Sequence, residues 1–169
     1  LRLPVEIDGS RGEGGGQILR TSLALAVLGN RKLRMRRIRA GRKRPGLQAQ
    51  HLACVHAAAR LCNGCARGPG GGELTVGAQE LELVPGGAQE LELVPGDGRA
   101  SVLEIDIGTA GSTTLLVQTI LVPALASGQS LRAIFTGGTH NPLAPPFEFL
   151  DRVFAPHLRA MGAKLTLSL

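Results

Sequence analysis

The chain alternates between two kinds of apolar pattern. Short runs with every second residue apolar predict strands at "LPVEI" (3–7), "KLRMRRIRA" (32–40), "ASVLEIDIG" (100–108), "SLRAIFTGG" (130–138) and "AKLTLSL" (163–169). Between them lie longer stretches with helical spacing: "QILRTSLALAVLG" (17–29), "LQAQHLACVHAAARLC" (47–62), "TTLLVQTILVPALAS" (113–127) and "FEFLDRVFAPHLRAMG" (147–162). "GELTVGAQELELVPG" predicts short alternating strands, with Leu81 and Leu83 on one face and Glu80 and Glu82 on the other.

This order of elements occurs twice. "IRAGRKRPGL" (38–47) sets beside "FTGGTHNPL" (135–143), each with a glycine four residues before a proline. The expected fold class is α/β (an α+β sandwich) of two tandem β-α-β-α-β(β) units, each with two helices on a four-stranded sheet. The expected boundaries are 1–96 and 97–169. One feature breaks the regularity: "GAQELELVPG" stands at 77–86 and again, unchanged, at 87–96. Either the coding sequence was recently duplicated or the repeat was engineered. Two identical segments compete for one strand position, so one copy is expected to be an added edge strand or a loop.

Charge changes this picture. Residues 1–50 carry twelve Lys/Arg against three Asp/Glu, while the rest of the 169-residue chain is net acidic. Nine basic residues fall within "RKLRMRRIRAGRKR" (31–44). Such a cluster favours a polyanion; a solvated face or a localisation signal is the simpler alternative. With four Phe and no Tyr or Trp, a base-stacking single-strand platform is not expected, so nucleic acid would be held through phosphates. No uncharged run of 18 apolar residues occurs, so no membrane helix is expected, and the first ten residues lack the apolar core of a signal peptide. Cys62 and Cys65 form a lone C-x-x-C without the second pair a zinc site wants. With Cys54 they are read as reduced structural thiols of an intracellular protein.

The candidate chemistry gathers at "GEGGGQILR" (12–20). A glycine cluster between a strand and a helix N-terminus can hold an anion on backbone N–H groups; a tight packing turn is the alternative. It is neither a P-loop nor a dinucleotide fingerprint, because Gln17 stands where the third glycine of the latter should be. Glu13 inside the loop repels an anion unless a magnesium-like cation lies between them. Otherwise it is a solvent-facing residue favoured by the helix dipole. Arg20, Arg39, Arg42 and Gln50 could converge on one anion beside this loop, since arginine binds phosphate bidentately and stays charged. Arg36 and Arg37 are read as strand-surface charges. His51 and His56, five residues apart on one helix, make a poor metal pair and are read as structural or exposed.

Four segments in order, "DGSRGEGGGQILR", "IRAGRKRPGLQAQHL", "GTAGSTTLLVQTILVPAL" and "GGTHNPLAPP", resemble the RNA 3′-terminal phosphate cyclases over nearly the whole chain. The resemblance implies an ATP-dependent ligase-class reaction. A histidine takes AMP, AMP passes to an RNA 3′-phosphate, and the 2′-hydroxyl closes the 2′,3′-cyclic phosphate. It implies ATP and a divalent metal (Mg or Mn), an RNA 3′-phosphate end as partner, and no membrane. Glu13 matches the metal carboxylate. Arg20, Arg39, Arg42 and Gln50 match the phosphate and RNA-end ligands. Gly14, Gly15, Gln17, Gln118 and Pro145 match the nucleotide contacts. Family members are about twice as long, with a third unit, an inserted domain and the nucleophilic histidine beyond the part matched here. The chain alone is therefore expected to bind nucleotide without becoming adenylylated. Three other readings stand: a non-catalytic relative in ribosome assembly, a plain nucleic-acid-binding module, and an engineered fragment.

Overall fold

The computed structural model describes residues 3–86, 101–128 and 130–169. The first half opens with β1 (Val5–Asp8), α1 (Gly16–Leu28), β2 (Leu33–Arg36) and α2 (Ala49–Leu61). It closes with β3 (Cys65–Arg67), a 3-10 turn (Pro69–Gly71) and β4 (Leu81–Val84). These strands form one sheet in the order β1-β2-β4-β3. β1 and β2 are parallel, with Val5 opposite Leu33. β4 runs antiparallel to both β2 and β3.

Alternation decides what this sheet buries. Leu33, Met35, Leu81 and Leu83 point at the helices and are at most 2% exposed. The intervening positions carry charge on the outer face, where Arg34 lies 3.4 Å from Glu6 and 3.2 Å from Glu82. α1 places Leu19, Leu23 and Ala26 inward, and α2 places Cys54, Val55, Ala57 and Ala58 there. Small residues on α2 let the neighbouring helices approach closely.

The second half runs β5 (Ser101–Asp106), α3 (Thr113–Ala126) and β6 (Leu131–Thr136). β5 and β6 pair in parallel over six residues. α3 packs on both α1 and α2. One apolar cluster therefore runs from Leu19 and Leu23 through Val55 to Leu103, Ile105, Leu116 and Ile120. The last helical stretch is α4 (Phe147–Phe149), a π-helical turn (Leu150–Phe154) and α5 (Ala155–Ala160). Pro156 explains the wide turn, because a proline ring clashes with the carbonyl four residues back and donates no N–H.

The α/β class and all four helical segments agree with the sequence pattern. Four details differ. β2 ends at Arg36 rather than reaching residue 40, because Arg37 and Arg39 adopt left-handed backbone (φ 54° and 53°) that no strand continues through. Residues 73–76 are not a strand, while β3, unforeseen, fills the sheet edge. The second sheet has two strands, not four, among the described residues. Residues 163–169 join no ladder with described residues, and an alternating run without a hydrogen-bonding partner is not a strand. The first copy of the decapeptide supplies β4; the second, 87–96, lies outside the described residues.

A candidate anion site where three helices meet

The glycine segment folds as a tight loop from Asp8 into α1. Asp8 starts it, accepting from Ser10 N (3.0 Å), Ser10 Oγ (2.7 Å) and the Arg37 guanidinium. The Ser10 bonds and then Arg37 hold the Asp8 carboxyl down at about 2. Gly14 turns the chain at φ 55°. Gly15 is the N-cap of α1 and offers no capping side chain, so the first amides of the helix are left for another acceptor. Gly16 is required for a different reason. A Cβ there would run into His51 Nε2 and stand 2.9 Å from Arg20 Nη1.

Arg20 sits one turn along α1, on the face of Gly16, and its Nε donates to Gln118 Oε1 of α3 at 3.1 Å. Burial lowers its pKa from the ordinary value. Arg42 closes over Gly15 from the 39–46 turn and lies 3.5 Å from Glu13. Arg39 shapes that turn, its Nη1 donating to the carbonyls of Arg44 (2.7 Å) and Gly46 (2.8 Å). Burial, and then the charge of Arg42, lower the Arg39 pKa. Gln50 lies in the first turn of α2 and accepts from Ser112 N, the N-cap of α3, at 2.8 Å.

The structure brings Gly15, Gly16, Arg20 and Arg42 together at the start of α1, with Gln118 joined through Arg20 and Arg39 acting on Arg42 and His51; Gln50 is held against the start of α3 at Ser112. Glu13 is 95% exposed at the mouth, and Gln17 is exposed on the first turn of α1. Pro145 stands apart from the arginines. It is tied in through Thr114, whose hydroxyl donates to the Pro145 carbonyl at 2.7 Å.

His51, read from the sequence as structural or exposed, is structural, and its place against the glycine loop was not foreseen. It is 9% exposed, its Nδ1 accepts from Gln48 N at 3.2 Å, and Nε2 faces Gly16. Burial, then Arg39 and Arg20, push its pKa down to about 4, so the ring is neutral at pH 7 with its proton on Nε2. Its position three residues after Gln48 in a reciprocal helix cap was the available signal. The other histidines are elsewhere. His56 is exposed, His140 Nε2 pairs with Glu148 at 2.8 Å, and His157 bonds Val153 O. A cavity of about 400 Å³ lined by Ala53, His56, Arg60, Cys65 and Asp106 contains none of the expected site residues.

Among the described residues no three His, Cys, Asp or Glu side chains cluster to hold a metal. Glu13 is a single carboxylate beside an arginine. That donor set fits a hydrated magnesium-like ion shared with phosphate oxygens, not a protein cage. No helix of the described residues is long and apolar enough to cross a membrane.

A family model described as RNA 3′-terminal phosphate cyclase matches residues 11–169. The chain belongs to the RNA 3′-terminal phosphate cyclase family. Curated proteins named RNA 3′-terminal phosphate cyclase are similar to it over 98% of its length. They include those of Ectopseudomonas mendocina (44% identical over 165 residues), Nostoc punctiforme (43% over 172) and Methylococcus capsulatus (46% over 167). The chain spans less than half of each relative, 43–45% of its length. Within this cyclase family, the loop at 12–16 and the turn at 39–46 both lie inside the matched region.

Proposed function

We propose that this chain forms the phosphate-gripping part of an ATP-dependent RNA 3′-phosphate cyclase. In this reading Arg20, Arg39 and Arg42 hold polyphosphate or the terminal RNA phosphate. The α1 amides and neutral His51 Nε2–H add donors, and Gln50 and Gln118 donate through their amide nitrogens. Gly14, Gly15, Gln17 and Pro145 border the nucleotide. Glu13 would hold a divalent ion against the phosphates; that ion supplies charge neutralisation as negative charge shifts between them. The domain boundaries near residue 96 and an intracellular location belong to the same proposal.

One observation carries it: Arg42 and the bare α1 N-terminus meet across Gly15, with Arg20 and His51 packed against the next glycine. Fixed cations and oriented amides with no capping side chain make a preorganised anion seat. Neither a non-catalytic relative nor a plain nucleic-acid module needs a carboxylate at its mouth.

The test is ATP binding by calorimetry in the presence of magnesium. Arg42→Ala is expected to weaken binding by about 1.5–3 kcal/mol, the worth of a charged hydrogen bond. Arg36→Ala, on the outer sheet face, should leave it unchanged. Equal affinities for wild type and the Arg20, Arg39 and Arg42 variants would remove the site.

A further inference from the structure

Two hydroxyl groups at the start of α3 connect the two sides of the proposed site. Ser112 caps α3: its Oγ accepts from Leu115 N at 3.3 Å, and its own N–H donates to Gln50 Oε1 at 2.8 Å. Ser112 Oγ lies 2.8 Å from Thr114 Oγ1, and Thr114 Oγ1 donates to the Pro145 carbonyl at 2.7 Å. Since the Thr114 proton goes to Pro145, the proton in the Ser112–Thr114 bond comes from Ser112. The result is one connected chain between Gln50 and Pro145, in which Ser112 donates both ways, its N–H to Gln50 and its hydroxyl to Thr114, and Thr114 donates on to Pro145. Thr114 is 3% exposed and Ser112 is 2% exposed, so water does not replace these bonds.

The beginning of the same loop has a separate anchor. Thr113 N and Oγ1 both donate to Gly138 O, at 2.8 and 3.0 Å. Gly138 is thus held by a backbone N–H as well as a hydroxyl, and Asn141 Nδ2 donates to Ala110 O, whereas the Pro145 carbonyl is held by the Thr114 hydroxyl. Gln50 and Pro145 come from halves far apart in sequence, and the buried Ser112–Thr114 pair links them.

We propose that Thr114 is a positioning residue that fixes Pro145 relative to Gln50, so that base and phosphates are bound in one register. This rests on the reading of Pro145 as a nucleotide contact and Gln50 as a phosphate contact. It goes further by naming the group that couples them. A ligand with no base should not sense Thr114, because the arginines and the glycine loop lie before α1, on it and in the 39–46 turn, and Gln50 keeps its own bond from Ser112 N–H.

The experiment compares ATP with inorganic tripolyphosphate on wild type, Thr114→Val and Thr114→Ser. Valine keeps the volume and removes the hydroxyl, leaving the Pro145 carbonyl unpaired. Thr114→Val should weaken ATP binding about tenfold and leave tripolyphosphate within roughly twofold of wild type, and Thr114→Ser should restore ATP binding. Equal weakening of both ligands, or of neither, overturns the positioning role, as does failure of serine to rescue. Hydrogen exchange separates this from failure of the site itself. The Ala144 and Phe149 amides, bonded to Asn141 O and Pro146 O, should exchange faster in Thr114→Val and at the wild-type rate in Thr114→Ser. If wild type binds neither ligand, the functional reading fails, and unchanged exchange in Thr114→Val then removes the positioning role too.

Discussion

Leu33 and Met35 of β2 are 1% exposed, whereas Ile134, on the second strand of the other half, is 40% exposed. The elements run in a similar order in both places, strand, glycine turn, helix, strand, proline turn, helix. Part of the difference is facing, since Leu131 and Phe135 of β6 pack on the core and Ile134 lies on the opposite face; the rest is cover. β2 is flanked by β1 and β4 and roofed by helices, while β6 pairs with β5 alone among the described residues. The final helical stretch likewise shows Phe149, Val153 and Phe154 at 37–46% exposure. The first half completes a four-stranded sheet and carries the candidate anion loop, while sharing its core with the second half. The second half takes much of its burial from α3 packing on α1 and α2, and brings Ser112, Thr114 and Gln118, not arginines, to the candidate site.

This contrast can be broken by mutation. Leu83, fully buried in β4, should lose about 2–5 kcal/mol on Leu83→Ala, whereas Ile134→Ala should cost less than about 1 kcal/mol in urea unfolding. Comparable losses would mean that the two sheets carry the fold equally.

A smaller effect follows from His51. Its pKa is about 4 in the folded chain against an ordinary 6.5, so the unfolded chain binds more protons between these values. Stability should therefore fall as pH drops from 6.5 towards 4, by roughly 2–3 kcal/mol. His51→Asn should flatten that slope. A wild-type stability curve level across this window would show that the ring is not held neutral by the first half.

The smallest expected effect concerns the decapeptide. Because the copies are identical, removing either gives the same chain, with one "GAQELELVPG" left to supply Leu81 and Leu83. Its stability should stay within about 0.5 kcal/mol or rise, since a shorter connection costs less closure entropy. Loss of cooperative unfolding would show that the first half needs both copies.

The helices were legible because each carries its own boundary. Gly29 ends α1, Ser112 caps α3, and apolar spacing marks the buried stripe between. Strands were less so, because a strand is completed by a neighbour. Cys65–Arg67 has no alternation to announce it, yet β4 pairs with it; 163–169 alternates well and finds no described partner. The arginines and glycines of the site could be read from their local setting. Arg20 with Gln118, Gln50 with Ser112, and His51 against Gly16 could not, because these meetings are products of helix packing.

The bonds made by Gln50, Gln118 and His51 have a consequence for selectivity. Gln50 and Gln118 turn their carbonyl oxygens to protein N–H groups, and His51 does the same with Nδ1. Their lone pairs face inward, and what they can still offer a visitor is hydrogen. Under the proposed reading a bare cation meets a lining of donors and positive charge that repels it. Asp8 is engaged by Ser10 and Arg37, which leaves Glu13 as the loop's exposed carboxylate, at the rim. Under the proposed reading the rim carboxylate is what couples phosphate to a cation, so Glu13→Gln should let phosphate in while making its capture indifferent to magnesium.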